Sequence, residues 1–161
     1  MSSTDDTSSG HPTSAGGSTS GQFRDLDCRS AIHDLIVAFY REIVFDDLLG
    51  PVFEEVAETD WAVHIPRLID YWCRILLGEH VYRGALLEAH REVHHRDPLR
   101  DEHFDRWYHL WVTSIDARWR GPKADQAKRH AVATAGLISR RLRGTDHHLR
   151  PNDPIRPAVA P

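Results

Sequence analysis

The stretch Trp61–His90, WAVHIPRLIDYWCRILLGEHVYRGALLEAH, decides how the rest of the chain is read. Its first half places His64, Leu68, Tyr71, Trp72 and Ile75 three or four residues apart, the spacing of one helix face. Thr59 is placed to cap this helix, with Asp60 favourably sited in its first turn. Pro66 costs little only in the opening turns, which keeps the helix start close to Thr59. Gly78 and Gly84 then punctuate a connection. A short apolar helix from Ala85 to about Arg91 carries His90 near its end. Two histidines with apolar flanks, separated by a helix and a turn, can face each other across a flat ligand.

Working outward, the helical pattern continues on both sides. Ile32, Leu35, Ile36, Phe39, Tyr40 and Ile43 mark one face of an earlier helix, broken at Asp46-Asp47-Leu48-Leu49-Gly50-Pro51. Val52, Phe53 and Val56 point to a single further helical turn. After His90 a polar linker, His94 to Asp101, leads to a long helix bearing Phe104, Trp107, Tyr108, Trp111 and Ile115. Gly121-Pro122 opens the last helix, where Ala124, Ala127, Ala131, Ala135 and Ile138 recur at helical spacing. No strand, hairpin signal or internal repeat emerges, so the class is all-α. Residues 1–22 are nearly all Ser, Thr, Gly, Asp and Pro and read as a disordered polar tail. Residues 144–161 form a Pro-rich C-terminal tail, which leaves 23–143 as one folded domain. A core of ~120 residues can bury some two-thirds of its surface and fold alone.

Composition narrows the function classes. A net charge of -4 gives no basic field for nucleic acid or an anionic membrane. No apolar run nears the roughly 18 residues of a membrane span, and the polar, acidic first residues do not read as a signal peptide. Cys28 and Cys73 have neither paired-thiol nor zinc-finger spacing, so a reducing cytoplasm is the simplest expectation. The twelve histidines are by number alone no evidence of metal chemistry. A surface histidine at a helix end would look locally like His90, and Tyr40, Phe53 and Trp107 would serve equally as core aromatics.

Four blocks taken together carry more information. FYREIVFDDLLGPVF, WAVHIPRLIDYW, LLGEHVYRGALLEAH and HFDRWYHLW, in that order, resemble the truncated haemoglobins of the third group, over nearly all of Phe39 to Trp111. The resemblance implies a two-over-two helical sandwich, shortened from the usual globin fold, around one haem b. By the same resemblance His90 matches the proximal iron ligand and Phe53 the phenylalanine stacked on the haem. Tyr40, second in FYRE, matches the distal tyrosine. His64 matches the distal-helix residue facing the iron, and Leu68 lines that wall one turn later. Trp107 matches the tryptophan whose indole nitrogen points into the distal pocket. Trp72 packs behind the haem edge, and Arg67 is a partner for a haem propionate.

The residue types suit those roles. An axial histidine needs its other nitrogen held, normally by a carbonyl one turn back, which here is that of Leu86. A phenol and an indole donate hydrogen bonds without bringing charge into an apolar pocket. Such donors favour retention of dioxygen, nitric oxide or peroxide for chemistry over bulk oxygen transport. Nitric oxide dioxygenation and a peroxidase-like reaction both stay open, with an external reductase, since no flavin or nicotinamide fingerprint occurs. The stretch REVHHRDPLRDEH after His90 departs from the family in being longer and more polar, and its His94 and His95 are expected to face water. Two rival readings are a non-haem metal site and a cofactor-free helical interaction protein. HREVH only imitates a zinc motif, because Arg91 stands where glutamate must directly follow the first histidine.

Overall fold

A computed structural model describes residues 23–144 of the chain. The readings of residues 1–22 and of the C-terminal tail beyond Gly144 lie outside the described residues. Between them stand five α-helices: α1 (Arg29–Val44), α2 (Trp61–Leu77), α3 (Leu86–Arg96), α4 (Asp101–Arg118) and α5 (Pro122–Arg143). Helix α1 packs on α2 and α4, while α5 packs on α4, α2 and α3. The result is the expected all-α two-over-two sandwich, and no strand occurs among the described residues.

Helices α1 and α5 bury the faces their spacing predicts, whereas α2 buries Ile69, Trp72, Cys73 and Leu76, so that of its expected face only Trp72 is buried and His64, Leu68, Tyr71 and Ile75 stay half-buried. On α1 all six expected apolar positions are buried, and on α5 Ala124, Ala127, Ala131, Ala135 and Ile138 are buried. Phe104, Tyr108, Trp111 and Ile115 form the inner face of α4. None of the helices among the described residues is long and apolar enough to cross a membrane.

The ends of the helices are tied by carboxylates. The Asp25 carboxylate accepts from the Lys123 and Ala124 backbone N–H groups (3.0 and 2.8 Å) and so caps α5 from the far end of the domain. That approach requires Gly121: its φ is +138°, and a Cβ there would stand 2.6 Å from the Asp25 carboxyl. Asp46 accepts from Leu48 and Leu49 N–H (3.1 and 2.9 Å) and pairs with Arg106 of α4 at 2.7 Å. Gly78, at φ +76°, closes α2 with its N–H on the Arg74 carbonyl.

Three local expectations are corrected. Asp60, not Thr59, caps α2: it stands directly before the first helical residue, Trp61, and its side chain accepts from Ala62 N–H at 3.0 Å. Pro66 therefore lies in the second turn, where its ring nitrogen has no hydrogen for the Ala62 carbonyl. The turn at Val52–Val56 is π-helical, closed by the Ala57 N–H on the Val52 carbonyl at 2.9 Å. Finally, α3 continues past Arg91 to Arg96, so His94 and His95 belong to a helix and not to a linker. The charged composition of REVHHR hid the face Leu86, Ala89, His90 and Val93, which keeps helical spacing. The helix stops just before Pro98, where the ring disfavours helical backbone in its predecessor.

The Asp46 contacts generate a stability prediction. The Asp46 side chain is 7% exposed, so Asp46→Ala strands two N–H groups and a guanidinium at once. A loss of about 2–3 kcal/mol is expected, read as a lower urea midpoint with an unchanged slope.

Candidate functional site

The two layers do not close completely. A cavity of about 470 Å³ lies between them, within the ~300–1,000 Å³ range of small-molecule and cofactor sites. All the residues singled out from the sequence line it: Tyr40 from α1, Phe53 from the π-turn, His64, Arg67, Leu68 and Trp72 from α2, Leu86 and His90 from α3, and Trp107 from α4. The alanines of α5 explain why room exists there, since Ala131 and Ala135 present no more than a methyl to it.

On the α3 side, Nδ1 of His90 lies 2.7 Å from the Leu86 carbonyl. A carbonyl only accepts, so the ring donates from Nδ1 and its Nε2 keeps a lone pair. Burial holds the His90 pKa below the ordinary value, against the opposing pull of that hydrogen bond. The ring is thus neutral, with one nitrogen fixed and the other available as a ligand. This geometry depends on α3 carrying Leu86 and His90 one turn apart on the same helix.

Across the cavity, His64 sits among Tyr40, Phe53 and Trp61, with ring centroids 5.4, 6.0 and 5.9 Å away. Its Nε2 is buried and has no hydrogen-bond partner. Burial, followed by His90 and Arg67, pushes its pKa down to about 4. A buried polar atom without a partner in a native fold calls for an explanation, and a ligand in the cavity supplies one. Tyr40 is 6% exposed, and burial raises its pKa above the ordinary phenol value. The Trp107 indole N–H donates to the Tyr40 hydroxyl oxygen, which leaves the phenolic hydrogen free to donate in turn. Phe53 stands edge-on to Tyr40 and stacks on Trp61 at 5.8 Å. Arg67 is exposed at the rim.

The residues present fit a flat, largely apolar cofactor with one metal-binding position. An apolar slot, a fixed neutral imidazole and donors on the opposite side are what a haem asks of a protein. The rival metal reading finds no such support: among the described residues no group of three or more His, Cys, Asp or Glu side chains converges to hold an ion.

Several contributors were missed in the sequence. Trp61 closes the aromatic cluster around His64, a role that its place in the sequence pattern does not announce. Tyr71 shares the His64 face by spacing, and its hydroxyl lies 2.6 Å from Nε2 of His130. Thr134 lines the same wall. Arg96 reaches from α3 to the Val56 carbonyl at 2.9 Å and fastens that helix to the π-turn. His95 faces water as expected, whereas Nδ1 of His94 accepts the Leu99 N–H at 3.0 Å and organises the step into α4.

No family model matches the chain. It is 30% identical, over 91 residues, to the group 3 truncated hemoglobin ctb of Campylobacter jejuni, a match covering 55% of this chain and 69% of that protein. The crystal structure of the group III truncated hemoglobin from Campylobacter jejuni superposes with a TM-score of 0.67 at 24% identity, covering 78% of this chain and 100% of that one.

The low His64 pKa fixes the sign of a pH dependence. Between about pH 4 and the ordinary value of 6.5 the unfolded chain binds the extra proton, so stability falls as pH drops through that window. In His64→Leu the unfolding free energy should depend less steeply on pH there, by about one proton, as measured by urea titration at several pH values. An unchanged slope would show that His64 titrates as an ordinary exposed histidine.

Proposed function

The chain belongs to the group 3 truncated haemoglobins, and from that premise we propose that it holds haem b between its helix layers through His90 and binds dioxygen and related diatomic ligands beside Tyr40, Trp107 and His64. The observation that carries this reading is the imidazole of His90, held neutral and fixed on the Leu86 carbonyl at 2.7 Å, facing a cavity of about 470 Å³. When bound, the haem supplies an iron centre that takes small ligands and exchanges electrons.

The chain's own residues supply the rest. Leu86 fixes the tautomer and orientation of His90. Phe53, Leu68 and Trp72 give apolar walls, and Arg67 at the rim is the partner assigned to a haem propionate. On the distal side Trp107 donates to Tyr40, so the Tyr40 hydroxyl is oriented to pass its hydrogen on to a ligand. A hydrogen bond to a ligand bearing partial charge contributes about 1.5–3 kcal/mol, roughly a ten- to hundredfold gain in retention. Neutral donors give that gain without burying a charge. His64, neutral above about pH 4, carries a buried Nε2 that can receive a hydrogen or, in the other tautomer, donate one.

This architecture favours chemistry on a retained ligand over bulk transport. We assign it to oxygen, nitric oxide or peroxide reactions supported by an external reductase, in the cytoplasm, in keeping with the unpaired Cys28 and Cys73. The primary test is spectroscopic. Haemin titrated into the protein should give a Soret band of one-to-one stoichiometry, which His90→Ala loses or shifts; a wild-type protein that takes up no haemin would overturn the reading. For the distal assignment, stopped-flow oxygen release should accelerate ten- to a hundredfold in Tyr40→Phe, and in Trp107→Phe to a similar or smaller degree. Unchanged release in both variants would mean that other donors hold the ligand.

A further inference from the structure

Building on the haem reading, we propose that Tyr71 is a redox-active residue, which delivers electrons to the cavity through Trp72, Trp111 and Trp107 and hands its phenolic proton to His130. The four aromatic residues are in continuous contact. Tyr71, Trp72 and Trp107 all line the cavity, and Trp107, on the distal side beside Tyr40, stacks on Trp111 at 5.8 Å with 8° between planes. Trp111 stacks on Trp72 at 4.4 Å and 22°, and Trp72 meets Tyr71 edge-on at 5.5 Å. Tyr82, half-buried in the connection after α2, stands 5.2 Å beyond Tyr71.

Two features separate this series from ordinary core packing. The first is Trp111, fully buried, whose indole Nε1 has no hydrogen-bond partner. An oxidised indole is trapped when its N–H proton finds an acceptor; with none at Trp111, an oxidising equivalent stays a cation there and moves on. The second is the end of the series. The Tyr71 hydroxyl lies 2.6 Å from Nε2 of His130, a neutral ring whose pKa burial lowers. A phenol is easily oxidised only if its proton can leave at the same moment, and this hydrogen bond provides the acceptor. Thr134 Oγ1, 3.4 Å from the Tyr71 oxygen, can then turn its hydroxyl towards the deprotonated oxygen. Phenylalanine at position 71 would fill the same apolar space without either partner.

Tyr71 loses one electron to the tryptophan series and its proton to His130, leaving a neutral phenoxyl radical and an imidazolium. The oxidant is hydrogen peroxide in the cavity, which takes two electrons and two protons to become two waters. An external one-electron reductant, reaching the protein near Tyr82, restores Tyr71, and the His130 proton returns with that electron. Two such passages supply both electrons, and solvent supplies both protons.

Electron paramagnetic resonance on freeze-quenched protein tests this. Haem-loaded protein, its content fixed from the Soret band, is mixed with hydrogen peroxide and frozen. A tyrosyl signal is expected in the wild type and should be lost in Tyr71→Phe with the Soret band unchanged. In His130→Phe, which keeps the phenol but removes the base that takes its proton, the tyrosyl signal should fall at least tenfold with the Soret band unchanged; a signal of wild-type intensity there overturns the role of His130. Haem-loaded wild-type protein without a tyrosyl radical, or a radical with the same line shape in Tyr71→Phe, overturns the proposal and leaves the haem reading standing. Protein that takes up no haem overturns both.

Discussion

The constraint on which this fold turns is that two helix layers enclose a space of about 470 Å³ without collapsing into it. Its walls are mostly aromatic and aliphatic. The helices are accordingly held apart by stiff, interlocked props. Phe39 meets Trp107 and Trp111 edge-on, and Trp72 lies flat on Trp111. Polar ties at the ends, Asp25 to α5 and Asp46 to α4, keep the layers in place without filling the space. A macrocycle bound there would make contacts with both layers, so cofactor and fold would stabilise each other by mass action.

The second organising element is an asymmetry of hydrogen bonding across that space. On the α3 side a backbone carbonyl accepts, which fixes His90 as a lone-pair donor. On the opposite side the indole of Trp107 donates to Tyr40, which fixes Tyr40 as a hydrogen donor. One wall thus offers electrons and the other offers hydrogens, and both do so while neutral. His64 stands between these roles, with its Nε2 uncommitted. Burying a charge in either wall would demand a compensating partner; two neutral arrangements avoid that demand.

Much of this was legible because it rests on helical periodicity. The buried faces of α1 and α5 follow from apolar spacing, and the pairing of His90 with the Leu86 carbonyl follows from one turn of helix. What stayed hidden depends on contacts between distant elements. The extent of α3 was masked because only its inner face is apolar while Arg91, Glu92, His95 and Arg96 face solvent. Capping by Asp60 over Thr59 turned on which of two adjacent capping residues stands directly before the helix, a one-residue difference that spacing does not resolve. The Tyr71–His130 bond joins residues 59 apart in sequence, and no local pattern announces it.

The same residues bear on why the aromatic wall is built from tryptophan and tyrosine. Leucine and phenylalanine would prop the layers equally well and leave no indole N–H or phenol O–H to satisfy. Trp111 carries such an unsatisfied N–H, at a desolvation cost of about 1–3 kcal/mol. A packing role alone gives no return for that cost. A stacked indole between two others, without a proton acceptor, is by contrast suited to passing charge without retaining it. The polar tip that does find a base, Tyr71, lies where the series ends. The arrangement of satisfied and unsatisfied polar atoms thereby separates the residues that conduct from the residue that holds.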